Sequence, residues 1–297
     1  MKKKIIFKGA ATALVTPFDA LGRIDFTAFG ELIERQISEG IDAIVICGTT
    51  GESATLTDSE RRRCISFAVE KAGGRVPIIA GTGSNNAEYA KELSCFASSE
   101  GVDGILVVAP YYNKATEKGM EKYYLSIAES ATSPIIIYNV PSRTGCQVTM
   151  PVYRKLAEHE NIAAVKEASG DVSLSAAILA ELSDSLSVYS GNDDLTLPIL
   201  SLGGAGVISV LSNIMPREMH ELCKTFFDGN LSAARDIQLG LYDIMRAMFY
   251  EVNPIPIKTA CGEMGLCSPS MRLPMCEMNE KNKAVLLTVL KKHGLIK

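Results

Sequence analysis

Short apolar runs recur along the chain at regular intervals and alternate with amphipathic stretches. Eight of these runs have the length and the β-branched or aliphatic content of buried strands. Between the earlier runs, apolar positions follow helical spacing and polar residues stand at the start of each segment, which predicts helices. The predicted strands are residues 11–16, 43–47, 77–80, 105–109, 135–138, 162–166, 186–190 and 207–210, and the clearest predicted helices are residues 26–38, 58–71, 86–99 and 117–130.

This alternation indicates parallel strands joined by right-handed crossover helices, and eight such units close into a (β/α)8 TIM barrel of the α/β class. An open, doubly wound sheet is the competing architecture. It would require a glycine-rich phosphate-binding turn after the first strand, and residues 12–17 contain no glycine. The pattern therefore favours the barrel.

Beyond residue 210 the pattern changes to helices alone, from residue 216 to residue 290. This tail is longer than the single helix that completes a barrel. We therefore predict a catalytic barrel domain over residues 1–228 and a C-terminal helical extension over residues 229–297. The extension is expected to pack on the barrel or on a neighbouring subunit.

The composition excludes several classes of function. A net charge of −4, with the short basic run 61–63 next to acidic residues, argues against a nucleic-acid partner. No apolar run approaches the ~18 residues that a membrane span needs, and Lys8 interrupts the only stretch that resembles a signal peptide. Eight cysteines without a C-x-x-C pair, and only three histidines, predict a reduced cytoplasmic protein without a metal site.

Lys166 ends the sixth predicted strand and is the first candidate for chemistry. Burial favours the neutral form of an amine, and a neutral amine attacks carbonyl carbons to form a Schiff base. The alternative is structural: the lysine stem would lie on apolar surface while its ammonium reaches water or pairs with Glu167.

Other candidates follow the strands that precede Lys166. The second strand leads into the turn 48–53, where glycines allow close backbone approach and the hydroxyls of Thr49 and Thr50 suit a carboxylate. The alternative is an ordinary turn in which Ser53 or Thr57 caps the next helix.

Two tyrosines and an arginine complete the set of candidates. Tyr112 follows the fourth strand and Tyr138 ends the fifth, where such rings often only pack at the rim. Arg143 lies in the next loop, where it is either a surface charge or a bidentate carboxylate ligand. The glycine cluster 203–206 precedes its strand, so it favours tight backbone packing over phosphate binding.

Together these groups suit an α-keto acid. The lysine amine condenses with the ketone, a phenol moves protons, hydroxyls hold the carboxylate and the arginine holds a second acid. This chemistry requires neither a metal nor an organic cofactor.

The chain resembles the dihydrodipicolinate synthase / N-acetylneuraminate lyase family of lysine-dependent class I aldolases. The resemblance rests on three segments in register: Gly48-Thr-Thr-Gly-Glu-Ser53, Tyr138-Asn-Val-Pro-Ser-Arg-Thr-Gly145 and Val165-Lys-Glu-Ala-Ser-Gly170. The paired Thr49-Thr50 and Arg143 favour the synthase branch, which condenses pyruvate with L-aspartate 4-semialdehyde in the diaminopimelate and lysine pathway.

The resemblance implies a role for each matching residue. Lys166 is the Schiff-base nucleophile, and Tyr138, Thr50 and Tyr112 form a proton relay, with Tyr112 supplied by the adjacent subunit of a homotetramer whose minimal unit is a dimer. Positions that line the pyruvate pocket are matched by Thr49, Thr50, Gly191 and Ile208, and Arg143 matches the residue that meets the carboxylate of the aldehyde.

Regulation by lysine is not expected. Ser53, Ala54, Asn85 and Tyr111 match an allosteric pocket, but a histidine and a glutamate of lysine-inhibited members are replaced here, in the regions of Asp58 or Arg61 and of Glu88 or Tyr89. Two other interpretations of the sequence stay open. The protein could be an aldolase for N-acetylneuraminate or a 2-keto-3-deoxy sugar acid, or a keto-acid binding protein without turnover.

Overall fold

Eight parallel strands form a closed barrel in the computed structural model, which describes residues 5–297. Each strand pairs with its neighbours in the chain, and β8 closes the barrel against β1. The (β/α)8 prediction is therefore confirmed. The strands are β1 Gly9–Ala13, β2 Ala43–Ile46, β3 Ile78–Gly81, β4 Gly104–Val108, β5 Ile135–Asn139, β6 Ile162–Glu167, β7 Ser187–Ser190 and β8 Gly206–Ser209.

Helices separate the strands and surround the barrel. The four helices predicted most clearly are present within two residues at each end, because polar side chains cap their first turns. Asp25 and Asn86 each accept two backbone hydrogen bonds, and Thr57 forms a capping box with Glu60. The helices are α1 Phe26–Ser38, α2 Asp58–Ala72, α3 Ala87–Ser99, α4 Glu117–Ala128, α5 Pro141–Thr144, α6 Met150–Leu156, α7 Val172–Leu182, α8 Thr196–Ser201, α9 Pro216–Phe227, α10 Leu231–Gly240, α11 Tyr242–Ala247, α12 Ile255–Glu263 and α13 Glu280–Lys292.

Side chains alternate along the strands between the barrel interior and the layer of helices. Both faces are buried, which explains why the strands read as continuous apolar runs rather than as alternating ones. The interior face forms its own cluster, which includes Phe7, Ala11, Ala13, Ala43, Val45, Ile79, Leu106, Ile136, Tyr138, Ala164, Tyr189 and Ile208.

The first strand differs from its predicted bounds, since it begins at Gly9 and ends at Ala13 rather than spanning 11–16. Gly9 is neither aliphatic nor β-branched, so the apolar pattern does not include it in the predicted strand. A Cβ on Gly206 would lie 1.8 Å from the carbonyl oxygen of Gly9, so the strands that close the barrel meet at two glycines. The tight packing predicted for the glycine cluster is present here.

The segment after β8 is helical, as predicted, but it contains one long irregular stretch. Helix α9 completes the barrel layer, and residues 264–279 separate α12 from α13 without helix. The division at residues 228 and 229 stays a prediction. The eight cysteines are all free, and no helix within residues 5–297 is long and apolar enough to span a membrane.

A buried ion pair fastens the C-terminal helices to the barrel. The Lys258 amine of α12 lies 2.7 Å from a carboxylate oxygen of Glu52, and both side chains are at most 1% exposed. The same amine donates to the carbonyl oxygen of Thr16 at 2.9 Å and lies over the ring of Phe18. The pair therefore joins the end of β1, the turn after β2 and α12 at one point.

We expect Lys258→Met to lower the free energy of unfolding by about 3–5 kcal/mol, because it leaves the Glu52 carboxylate buried without its cation. Adding Glu52→Gln should restore most of the loss, which denaturant unfolding of the two variants measures. The exposed pair of Arg154 and Glu181 is the control, with an expected loss below about 1 kcal/mol for Arg154→Ala. Equal losses in the single and double variants would contradict this account.

Candidate active site

Lys166 and Tyr138 lie side by side on neighbouring strands at the carboxyl end of the barrel. The register pairs Tyr138 with Lys166 and Lys166 with Tyr189, so these side chains point into the barrel from adjacent strands. Lys166 is 5% exposed, and its amine lies 4.3 Å from the centroid of the Tyr138 ring. The two side chains that the sequence singled out are thus in contact.

Glu167 does not neutralise Lys166. Its side chain lies on the opposite face of β6, where one carboxylate oxygen accepts from Asn139 at 2.9 Å and the other accepts from the backbone amide of Ser169 at 2.7 Å. Burial raises the pKa of this carboxyl group. Within residues 5–297 Lys166 forms no ion pair with any carboxylate. The structural alternative, in which Lys166 pairs with Glu167, is therefore wrong.

The same arrangement fixes the geometry of the strand ends. Asn139 follows Tyr138 and Glu167 follows Lys166, and the register pairs Asn139 with Glu167. The hydrogen bond between these two outward side chains therefore holds the two inward side chains at a set position. Tyr153 of α6 adds a weaker contact to Glu167 at 3.5 Å.

A cavity of about 240 Å³ opens above the Lys166 amine. Gly191 is part of its wall, and a Cβ at this position would lie 2.5 Å from the Cβ of Ala168, so the wall has no room for a side chain. Thr50, Tyr138, Arg143, Lys166 and Gly191, which sequence reasoning had singled out, all line it, together with Val140, Ser142, Ala168, Asn192, Asp194, Val210, Met245, Arg246, Phe249 and Asn253.

Asn253 is one of the wall residues that the sequence analysis did not identify, and it contacts two of those that it did. Its side-chain amide donates to the Thr50 hydroxyl oxygen at 3.0 Å, and its backbone carbonyl accepts from the Arg143 guanidinium at 3.0 Å. The run Asn253-Pro-Ile-Pro-Ile-Lys258 stands out in the C-terminal part of the sequence. This run follows no barrel strand, however, and the other candidates were identified because they follow predicted strands. Asn253 therefore could not be found in the same way.

A second cavity of about 270 Å³ adjoins the first, and Val140, Arg143 and Asn253 line both. Its wall contains Thr49 and three of the residues that match the allosteric pocket, Ser53, Ala54 and Tyr111. The fourth, Asn85, lies nearby, and its carbonyl oxygen accepts from the side chain of Asn113.

Arg61 also lines this second cavity and is 6% exposed. Its guanidinium donates to the carbonyl oxygen of Gly81 at 2.8 Å and to the Tyr89 hydroxyl at 3.4 Å. A buried cation is therefore part of the wall of the second cavity.

Two of the catalytic and pyruvate-binding candidates line neither of these two cavities. Tyr112 follows β4 with a positive φ of 71° and an 88% exposed side chain. Ile208 is fully buried on β8 within the barrel interior. Among residues 5–297 there is no group of three or more histidine, cysteine, aspartate or glutamate side chains able to hold a metal ion.

Comparisons with known proteins find similarity over almost the whole chain. Residues 6–293 match the model of the dihydrodipicolinate synthetase family. A 4-hydroxy-tetrahydrodipicolinate synthase of Acetivibrio thermocellus is 49% identical over 294 residues, which cover 99% of this chain and all of the relative.

Solved structures are similar over the same length. Dihydrodipicolinate synthase from Aquifex aeolicus superposes with a TM-score of 0.95 at 46% identity, covering 97% of this chain and 99% of the relative. The chloride-inhibited dihydrodipicolinate synthase from Acinetobacter baumannii, solved in complex with pyruvate, has a TM-score of 0.95 at 38% identity over 97% and 99% of the two chains.

The buried Glu167 carboxyl predicts a specific pH dependence of stability. Its folded pKa is raised above the ordinary value of 4.5, so its contribution to stability is lost as the pH rises through the folded pKa. Glu167→Gln removes this titration. We therefore expect the melting temperature of the variant, relative to the parent protein, to increase from about pH 4.5 to neutral pH.

Glu181→Gln provides the control, because Arg154 lowers the pKa of the Glu181 carboxyl. The melting temperature of this variant, relative to the parent protein, should decrease as the pH rises toward about 4.5 and then stay level, because the folded pKa of Glu181 lies below its ordinary value. Thermal unfolding of both variants and the parent protein is measured across the pH range. If the relative melting temperature depends on pH in the same way in both variants, the raised pKa of Glu167 is refuted.

Proposed function

The chain belongs to the dihydrodipicolinate synthetase family, and we propose that it condenses pyruvate with L-aspartate 4-semialdehyde to form 4-hydroxy-tetrahydrodipicolinate. The observation that carries this proposal is the Lys166 amine, which is buried without a carboxylate partner at the base of a cavity that also contains Arg143. An amine in this position is available to a ketone, and the arginine is available to a second acid.

The proposed reaction begins at the Lys166 amine. Its nitrogen forms a bond to the ketone carbon of pyruvate, and loss of water gives an imine. The imine makes the pyruvate methyl group acidic, so that loss of a proton produces an enamine. The enamine carbon then bonds to the aldehyde carbon of the second substrate, whose oxygen takes up a proton. Attack by that substrate's amine on the imine carbon closes the ring and releases Lys166.

The neighbouring side chains have complementary roles in this proposal. Tyr138 lies against the Lys166 amine and, with Thr50 and Tyr112, moves protons during imine formation and ring closure. Pyruvate binds near Thr49, Thr50, Gly191 and Ile208. Arg143 binds the carboxylate of the aldehyde, which separates this reaction from that of a sugar-acid aldolase, since a polyol requires hydroxyl partners instead.

The active assembly is proposed to be a homotetramer built from two dimers. Tyr112 is 88% exposed and Leu273 is 82% exposed in the single chain, so both side chains are accessible to another subunit. Tyr112 would then serve the active site of the adjacent subunit. The free cysteines suit a cytoplasmic location, and the extension over residues 229–297 is proposed to act as part of the catalytic body.

Lysine is proposed not to inhibit this protein. Ser53, Ala54 and Tyr111 line the second cavity, but the Arg61 guanidinium is part of the same wall. A buried cation disfavours binding of the ammonium group of free lysine at this place.

Lys166→Ala should abolish pyruvate consumption in the presence of aspartate 4-semialdehyde, because no other group supplies the imine. Borohydride should trap pyruvate on Lys166 of the parent protein, and peptide mass spectrometry should find no label on Lys258, whose amine is bound to Glu52. Trapping without consumption would shift the assignment to another pyruvate aldolase. Absence of trapping would exclude Schiff-base chemistry altogether.

Mixing two inactive variants tests the origin of Tyr112. If Tyr112 acts in the adjacent subunit, a dimer of one Tyr112→Phe chain and one Lys166→Ala chain contains one site with both defects and one intact site. Co-refolded or co-expressed variants should therefore recover activity that neither has alone. Mixing Tyr138→Phe with Lys166→Ala is the control and should recover none, since both side chains belong to one subunit.

A further inference from the structure

Asn253 contains an atom for which the protein provides no partner. The residue is 5% exposed and precedes α12, outside the barrel strands. Its Nδ2 donates to Thr50 and its backbone carbonyl accepts from Arg143, but its Oδ1 is buried with no hydrogen bond. A buried carbonyl oxygen without a donor costs free energy, and a ligand can supply the missing donor.

The location of this atom narrows the choice of ligand. Within the described residues, the other buried side-chain atoms without partners belong to Arg61 and Asp193, neither of which lines the cavity of Lys166. Asn253 does line it, and its own carbonyl contacts the guanidinium of Arg143. A group bound by Asn253 Oδ1 would therefore lie next to a group bound by Arg143.

The aldehyde substrate of the proposed function has such a pair of groups. Its α-carbon carries a carboxylate, which suits Arg143, and an ammonium, which needs an acceptor. We propose that Asn253 Oδ1 accepts a hydrogen bond from the α-ammonium of this substrate and makes the site selective for an amino acid aldehyde. The inference rests on the proposed function, because it assigns a role within that reaction.

A neutral amide suits this position better than a carboxylate. A carboxylate beside Arg143 would pair with the guanidinium and compete with the substrate's own carboxylate for it. The acidic side chain on the cavity wall, Asp194, lies 3.8 Å from Arg246, which provides it with a cation. Among the described side chains on this wall, Asn253 has the buried acceptor atom that lacks a donor.

The experiment compares L-aspartate 4-semialdehyde with 4-oxobutanoate, which has the same aldehyde and carboxylate but lacks the amine. In the parent protein we expect the KM for the amino substrate to lie at least about tenfold below the inhibition constant of 4-oxobutanoate, since hydrogen bonds to charged groups are among the stronger ones. Asn253→Ala should raise that KM by a similar factor and leave the inhibition constant nearly unchanged.

Two further measurements separate this role from a structural one. Borohydride should still trap pyruvate on Lys166 in Asn253→Ala, which shows that the variant folds and forms the imine. Asp194→Asn should preserve the preference for the amino substrate. If Asn253→Ala does not fold, Asn253→Ser, which also lacks Oδ1, is measured in its place.

Three results would overturn the inference. Equal weakening of both ligands in Asn253→Ala would mean that Asn253 only positions Thr50 or Arg143. Loss of the preference in Asp194→Asn alone would assign the ammonium to Asp194. No preference in the parent protein would leave Oδ1 without this role. Failure of the parent protein to trap or consume pyruvate is a different result, because it refutes the proposed function itself.

Discussion

The structure depends on the burial of one amine that lacks a counter-ion. Two of the lysines that the structure describes are almost completely buried, and their partners differ: the Lys258 amine lies 2.7 Å from the Glu52 carboxylate, whereas the Lys166 amine lies over the face of the Tyr138 ring. Removing a charged amine from water is costly unless it is paired. The ion pair gives Lys258 a structural role, whereas the absence of a carboxylate partner leaves the Lys166 amine available for chemistry.

The alternation of side chains along the strands makes this possible. Tyr138 and Lys166 point into the barrel, while Asn139 and Glu167 point outward and hydrogen-bond to each other. The carboxylate nearest in sequence is therefore kept away from the amine by the strand between them. A shift of the register by one residue would bring the wrong side chains to the cavity.

The C-terminal helices belong to the site as much as the strands do. Asn253 contacts Thr50, Lys258 contacts Glu52, and Arg272 donates to both carboxylate oxygens of Glu60. These three contacts follow one another along the segment that begins with the turn after β2. The turn that contains Thr49 and Thr50 is thus held from outside the barrel, which fits the general need for a rigid support beneath catalytic groups.

The sequence alone determined the strands, their order and most of the residues above Lys166, because apolar runs mark buried parallel strands and a barrel gathers their carboxyl ends. Five of the residues that it selected, Tyr138, Lys166, Thr50, Arg143 and Gly191, line one cavity in the structure. Only the tertiary structure decided that Lys166 lacks a carboxylate and that Asn253 contacts Thr50. These two residues are about 200 positions apart in the chain, and local periodicity carries no information about contacts over that distance.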